Sequence, residues 1–291
     1  MRGETHSNAM HLEKLISRDV LELILKPVTA VSVGGKSAGF IREVAKINIV
    51  GGLSSDVPFI PSESIKGTLR SMAVMLANTI IESEYLNHHM PDYSVKEIER
   101  LKEADETLMD LGFTEDQISE LSEEERIDLY FALKCPVCRL FGWKGLTGKL
   151  LISDGLPNKR PRLRYFTSTA IDRKLGVASK EKLFTVESVE WDPELKFSVK
   201  IIVDNMDREE ARLFSALLKI ILKTGLRIGG LKSRGYGLLK IDEESNVKRI
   251  KFILKPKTEE DILSNVKALL LKEGYFEKLT IKEYIEALSQ Q

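Results

Sequence analysis

Hydrophobic positions along the chain follow two periods. Between Asp19 and Lys26, Val20, Glu22 and Ile24 alternate with Leu21, Leu23 and Leu25, which predicts a strand ended by Pro27. Leu183–Glu190 and Lys196–Asp204 alternate in the same way, joined by a turn at Trp191-Asp192-Pro193-Glu194. Lys149–Ser153 reads as a short buried strand and Gly235–Asp242 as a closing one. Two segments follow the helical period instead. Ile65, Leu69, Met72, Ala73, Leu76 and Ile80 share one stripe, with Ser62 or Ser64 as the cap. Ala211, Phe214, Leu217, Leu218, Ile221 and Leu222 share another over Arg208–Lys223, capped by Asp207 and stopped by Gly225. Ser32–Gly39 reads as a glycine-rich loop.

The order is strand, helix, strand, strand, helix, strand. That is the split β-α-β order of ferredoxin-like folds, shared with RNA-recognition (RRM) modules, and it predicts the α+β class. The core is expected over residues 10–83 and 148–250, interrupted by a helical insertion at 84–147 and a hairpin insertion at 155–190. Residues 251–291 read as a helical tail, and residues 1–9 as the remnant of an expression tag.

Composition narrows the class without naming a partner. Apolar residues make up 43% of the 291, enough for a sizeable core and too many for a disordered chain. Lys plus Arg equals Asp plus Glu at 44 each, so net charge points to no ligand and only its distribution is informative. With two cysteines a disulfide scaffold is excluded, and with no apolar run long enough for a membrane span the cytoplasm is the expected setting. The insertion is acidic, from Glu97 to Glu125, and reads as a solvated helical face. The next stretch inverts: Arg139, Lys144, Lys149, Lys159, Arg160, Arg162 and Arg164 interleave with Phe141, Trp143, Tyr165 and Phe166. Cations among aromatic faces suit a single-stranded nucleic-acid groove, and equally a lysine-rich surface.

Three motifs carry candidate chemistry. Gly225–Gly237, GLRIGGLKSRGYG, sets glycines among Arg227, Lys232, Arg234 and Tyr236. It lacks the order of a nucleotide-triphosphate loop and precedes a strand, so it reads as backbone contact with RNA or as a tight turn. Ile60–Arg70, IPSESIKGTLR, puts Ser64 and Lys66 at a helix start where a phosphate could sit, or is an ordinary capped helix. Cys135-Pro-Val-Cys138 is half of a zinc site, a buried thiol pair or a redox pair, with His88 and His89 as the nearest further ligands. No Ser/His/Asp or paired metal-carboxylate constellation is visible.

Taken together the segments resemble the RAMP superfamily of CRISPR-associated proteins, and within it the Csm-type backbone subunit of type III effector complexes. The resemblance rests on VSVGG (31–35), FIPSESIKGTLR (59–70), CPVCRLFG (135–142), KLLISDG (149–155), TAIDRKLGVASKEKLFTVESV (169–189) and GLRIGGLKSRGYG (225–237), in that order. It implies a modified RRM-like core that assembles as a filament along CRISPR RNA in antiviral defence, bound to complementary target RNA and to other CRISPR-associated subunits. RNA contacts implied by it are Gly34, Gly35, Ser62, Ser64, Lys66, Arg70, Lys232, Ser233, Arg234 and Tyr236. The span around Ile171, Asp172 and Arg173 resembles a thumb hairpin that wedges between bases and kinks the guide–target duplex. Zinc at Cys135 and Cys138 is implied by some relatives, with His88 and His89 completing the set.

Related subunits cut target RNA with an aspartate between the first strand and the first helix. The corresponding place here, Lys46–Asn48, holds no carboxylate, and Glu43 and Asp56 are the nearest substitutes. The expectation is therefore a non-cleaving RNA-binding subunit; the alternative is a metal-dependent endoribonuclease using Mg²⁺ with Asp56 or Glu43.

Overall fold

The structure is a computed structural model that describes residues 14–38, 41–48, 56–80, 86, 89, 100–171 and 178–290. Expected site residues His88, Asp172 and Arg173 lie outside that set. In chain order the elements are β1 (Ser17–Pro27), β2 (Gly34–Ala38), β3 (Ile41–Val44), β4 (Lys46–Ile47), β5 (Val57–Pro58), α1 (Ser62–Ile80), α2 (Leu101–Asp110), α3 (Glu115–Ser119), α4 (Glu123–Lys134), α5 (Pro136–Phe141), β6 (Leu150–Ile152), β7 (Leu156–Pro157), β8 (Leu163–Ile171), β9 (Ala178–Val189), β10 (Phe197–Asp204), α6 (Arg208–Thr224), β11 (Leu226–Arg227), β12 (Leu238–Ile241), β13 (Asn246–Lys251), α7 (Glu259–Leu269), β14 (Glu277–Thr280) and α8 (Ile281–Ser289).

The alternation read from the sequence becomes the central sheet. Its spatial order is β11-β12-β1-β10-β6, all antiparallel neighbours. Numbering the strands of the β-α-β-β-α-β unit as they occur (β1, β6, β10, β12) gives 4-1-3-2, the ferredoxin-like arrangement. Leu21, Leu23 and Leu25 of β1 and Phe197, Val199, Ile201 and Val203 of β10 point to one face and are buried. α1 and α6 cover that face with Ile65, Leu69, Phe214, Leu217, Leu218 and Ile221. Fully burying a side chain of this kind contributes about 1.5–3 kcal/mol, so this layer is the main store of stability.

α6 starts as its sequence dictates. Asp207 Oδ1 accepts from the Glu210 N–H at 3.0 Å, and Glu210 Oε2 accepts from the Asp207 N–H at 2.9 Å. α1 does not. It begins at Ser62, whose N–H donates to Asp154 Oδ1 at 2.7 Å, while the Ile65 N–H reaches the Pro61 carbonyl. The cap comes from beyond β6, 92 residues away, rather than from Ser62 or Ser64.

Other expectations are corrected. Ser32–Gly39 is not a loop: Gly34–Ala38 is β2, antiparallel to β3, in a second, four-stranded sheet of order β2-β3-β9-β8. Gly35 is required there because a Cβ would lie 2.5 Å from the Val44 carbonyl oxygen. The short strand at Lys149–Ser153 is buried on one side only, since Leu150 is enclosed and Leu151 exposed. The closing strand is shorter than Gly235–Asp242, because Gly235 and Gly237 belong to the preceding loop. The tail is not helical throughout. β13 extends the sheet along β1, β14 pairs with β13, and α8 lies on α6, where Ser215 Oγ donates to the Ile285 carbonyl at 3.1 Å. Among the described residues no helix is long and apolar enough to cross a membrane.

Candidate nucleic-acid interface and metal centre

Glycine spacing builds the loop after α6. The chain leaves Gly225, runs through β11, and is pinned to the link between β1 and β2: the Gly230 N–H donates to the Ser32 carbonyl and the Gly237 N–H to the Ala30 carbonyl, each at 2.8 Å. A side chain at Gly229 would collide with the Ser32 carbonyl and one at Gly237 with the Ile228 carbonyl. These glycines therefore serve close backbone packing, and the packing presents the residues between them. Lys232, Ser233 and Arg234 form a short 3₁₀ turn, and all are exposed.

The second sheet meets this turn with its aromatic face. Period-two alternation places Arg164 and Phe166 of β8 on one side, with Phe184 of β9 opposite Ser168. The Arg164 guanidinium lies 4.8 Å from the Phe166 ring centroid, and Tyr236 meets Phe166 edge-on at 5.7 Å. Arg234 lies 5.6 Å from the Phe184 centroid. Exposed Arg42 of β3 sits beside the loop, where a Cβ on Gly230 would be 3.6 Å from its Nη1. The result is a rim of Arg42, Arg164, Lys232 and Arg234 around Phe166, Phe184 and Tyr236. Glu190 is the carboxylate beside it, 3.9 Å from Arg164. Cations for phosphates next to ring faces for bases are the parts of a single-strand groove. Sequence reading found the loop and Phe166 but missed Arg42, because only the parallel pairing of β3 with β9 brings it there.

The basic stripe between Arg139 and Arg164 is not one surface. Arg139 Nε and Lys149 Nζ both bind Glu210, a fully buried carboxylate, at 2.9 Å. Lys159 is held by Asp192 and Glu194. These cations tie the insertion to α6 and close the turn after β9.

The other side of the second sheet carries a different network. Glu187, with no exposed surface, accepts from the Val44 N–H and Lys46 Nζ at 3.0 Å and from the Tyr165 hydroxyl at 2.8 Å. Burial alone would raise its carboxyl, but these donors outweigh it and hold Glu187 below the ordinary carboxylate range. Lys46, in the stretch Lys46–Asn48 where the resemblance led us to expect a catalytic carboxylate, is thus committed to an ion pair. Of the substitutes, Glu43 is half-buried on β3 and Asp56 is exposed at a positive φ of 55°, its N–H donating to Asn48 Oδ1.

The two cysteines and His89 converge. Cys135 ends α4, Pro136 opens α5, and one turn later Cys138 returns to the same side. His89 Nε2 lies 3.3 Å from Cys135 Sγ and 3.5 Å from Cys138 Sγ. In a tetrahedral zinc site, Zn–S and Zn–N bonds put N and S about 3.6 Å apart, so the spacing and the soft donor set fit that metal. A hydrogen bond from Cys138, offset by burial and helped by His89, pulls the Cys135 thiol down to about 4, while the same contact and burial push Cys138 up. One sulfur is thus ready as a thiolate, the form that binds metal.

Around this group side chains from three segments of the chain make contact. Trp143 meets His89 edge-on at 5.4 Å and donates its indole N–H to Asp128 Oδ2 at 3.0 Å. Arg70 donates to the Gly142 carbonyl at 2.8 Å, lies 5.1 Å from the Trp143 ring and approaches Cys138 Sγ at 3.9 Å. Arg70, expected at the RNA, is therefore engaged with the cysteine cluster. At the N-terminus of α1, Asp154 already accepts from the first N–H beside Ser62, Ser64 and Lys66.

Compared with known protein families, residues 24–240 match the one described as the RAMP superfamily. The match opens within β1 and closes within β12, so it spans all of the ferredoxin-like unit but the first part of β1 and the last residue of β12, and leaves β13, α7, β14 and α8 outside. No curated protein matches the chain.

Proposed function

The chain belongs to the RAMP superfamily, and from that premise we propose that it is an RNA-binding backbone subunit of a type III CRISPR effector complex. It grips guide RNA without reading its sequence. The observation that carries this reading is the rim of Arg42, Arg164, Lys232 and Arg234 around Phe166, Phe184 and Tyr236. Guanidinium and ammonium groups neutralise phosphates of any sequence, and ring faces stack on any base. Gly34, open on the side a Cβ would take and on the strand beside Arg42, lets the RNA backbone approach, with Gly35 holding that strand against Val44; Ser62, Ser64 and Lys66 at the α1 start extend the track.

The hairpin β8–β9, whose connection includes Asp172 and Arg173, is the element proposed to part and bend the guide–target duplex. Copies add head to tail along the guide, beside other CRISPR-associated subunits, with target RNA as the second strand. Such a heterologous contact does not close, as a filament requires. Zinc is the proposed occupant of His89, Cys135 and Cys138; bound there it supplies a structural cross-link, and Arg70, Trp143 and Asp128 orient the group. No cleavage is assigned to Asp56 or Glu43: the stretch Lys46–Asn48, where the resemblance implies a catalytic aspartate, holds no carboxylate, and Lys46 there is paired with Glu187.

The test is fluorescence anisotropy with two single-stranded RNAs of unrelated sequence across a salt series. Binding of both within about threefold, with affinity falling steeply as salt rises, is the expected result. Absence of binding to either RNA at low salt by metal-loaded protein would overturn the reading.

A further inference from the structure

Arg249 of β13 is buried more deeply than its partners account for. Its side chain is 10% exposed, and Nε donates to Asp19 Oδ1 at 3.2 Å. Nη2 is buried and has no hydrogen-bond partner among the described residues. Asp19 is shared, because it also accepts from the Tyr284 hydroxyl at 2.8 Å. The Tyr284 ring, 5.0 Å from the guanidinium, helps to fix it in place. A guanidinium withdrawn from water with a donor unmatched is costly unless an acceptor meets it. Two cavities lie against Arg249, and Lys251 lines both. The two cations stand two apart on β13, so period-two alternation sets them on one face. The larger cavity, about 410 Å³, lies between β13, α7 and the turn into β14, with Ser264 on the helix side and Tyr275, Phe276 and Glu277 on the turn side. Asn265 ties α7 to the Ile253 backbone with hydrogen bonds of 2.9 and 3.0 Å, and Lys267 Nζ ties it to the Tyr275 hydroxyl at 3.0 Å. All of these cavity residues lie outside the region that matches the family.

We propose that this cavity binds a nucleoside monophosphate. Its volume falls within the roughly 300–1,000 Å³ of small-molecule sites. Its lining offers one kind of group to each part of such a ligand. Arg249, Lys251 and the Ser264 hydroxyl suit a phosphate, for which a guanidinium fork is the strongest donor. Tyr275 and Phe276 offer ring surface to the base. Glu277, opposite Arg249 on β14, only accepts hydrogen bonds and so suits the ribose hydroxyls. A bare phosphate would meet the Glu277 charge with no donor to offer it. A neutral nucleoside would leave both cations unmatched. The set therefore calls for phosphate and ribose on one molecule.

The experiment uses full-length, RNA-free protein in isothermal titration calorimetry. The probes are AMP, GMP, CMP and UMP, with adenosine and inorganic phosphate beside them. At least one monophosphate should bind once per chain with Kd below about 1 mM, and adenosine and phosphate at least tenfold more weakly. Lys251→Glu, at an exposed position, should weaken the nucleotide at least tenfold. Glu277→Gln, also at an exposed position, should narrow the preference for nucleotide over phosphate. Lys232→Glu with Arg234→Glu, in the proposed RNA-binding rim, should leave nucleotide affinity unchanged. Four results would each overturn the proposal: no monophosphate bound, phosphate bound as tightly as nucleotide, Lys251→Glu without effect, or affinity lost in the rim variant. RNA binding at the rim can fail or succeed independently of all four.

Discussion

Arg70 and Arg234 each lie over an aromatic ring, at 5.1 Å from Trp143 and 5.6 Å from Phe184, yet their surroundings give them opposite roles. Arg70 is half-buried, donates to the Gly142 carbonyl and touches a cysteine sulfur; its charge is spent inside the protein. Arg234 stands on an exposed turn held up by glycines, and its charge faces water. The same pairing of guanidinium and ring is a fastening in one region and part of the surface proposed to bind RNA in the other. Sequence spacing places both arginines in glycine-bearing motifs; only burial and partners separate them.

The sharpest way to break the comparison is to remove the fastening at its centre. Cys135→Ser or Cys138→Ser is expected to abolish binding of one zinc per chain, read by elemental analysis, and to lower the melting temperature by about 10 °C in calorimetry. An unchanged melting point would make the cysteine cluster ordinary core. At the other region, Lys232→Glu with Arg234→Glu should weaken single-stranded RNA at least tenfold in anisotropy and flatten the slope of log affinity against log salt by about 1.4. Its melting temperature should not move. Arg70→Met should do the reverse: a stability loss of about 2 kcal/mol by chemical denaturation, from a charge-assisted hydrogen bond, with RNA affinity intact. An RNA defect without a stability defect would return Arg70 to the interface.

A smaller effect sharpens the contrast between the two sides of the second sheet. Because Glu187 is held below the ordinary carboxylate range, its contribution is complete above an ordinary carboxyl pKa of about 4.3 and is lost as pH falls through the folded value. Glu187→Gln should therefore lower stability at pH 7 and flatten the fall in stability below about pH 4, measured by denaturation at several pH values. Smallest of all, Asp56→Asn with Glu43→Gln should leave RNA binding, and any cleavage by the assembled complex, unchanged on a denaturing gel.

Much of the fold was legible because its signals are local. The alternation at β1 and β10, the stripe of α6 and its Asp207 cap act within one or two turns of chain, and the β-α-β-β-α-β order follows from them. β13 and β14 were not legible: NVKRIK and EKLT are short and charged, and become strands only by pairing with a sheet already formed. β2 was hidden by its glycines, which suit a loop as well as a strand that must touch Val44. The site divided in the same way. The glycine-rich turn and the C-x-x-C could be read directly, while Arg42 and the loss of Arg139 and Lys149 to Glu210 could not.

What the amino-acid sequence determined alone is the class of fold, the order of its parts and the kinds of chemistry available, since period, caps and motif spacing are properties of neighbouring residues. What tertiary structure decided is which charges are left for a ligand. Asp154 caps a helix 92 residues away, Glu210 takes two of the cations, and His89 reaches the cysteine sulfurs across 46 and 49 positions. α7 leaves Ile262, Leu263, Val266, Leu269 and Leu270 exposed and buries Ala268, although its period would suit burial of the larger residues. Each outcome depends on a partner remote in the chain, because burial and ion pairing are set by distance in space and no sequence period encodes them.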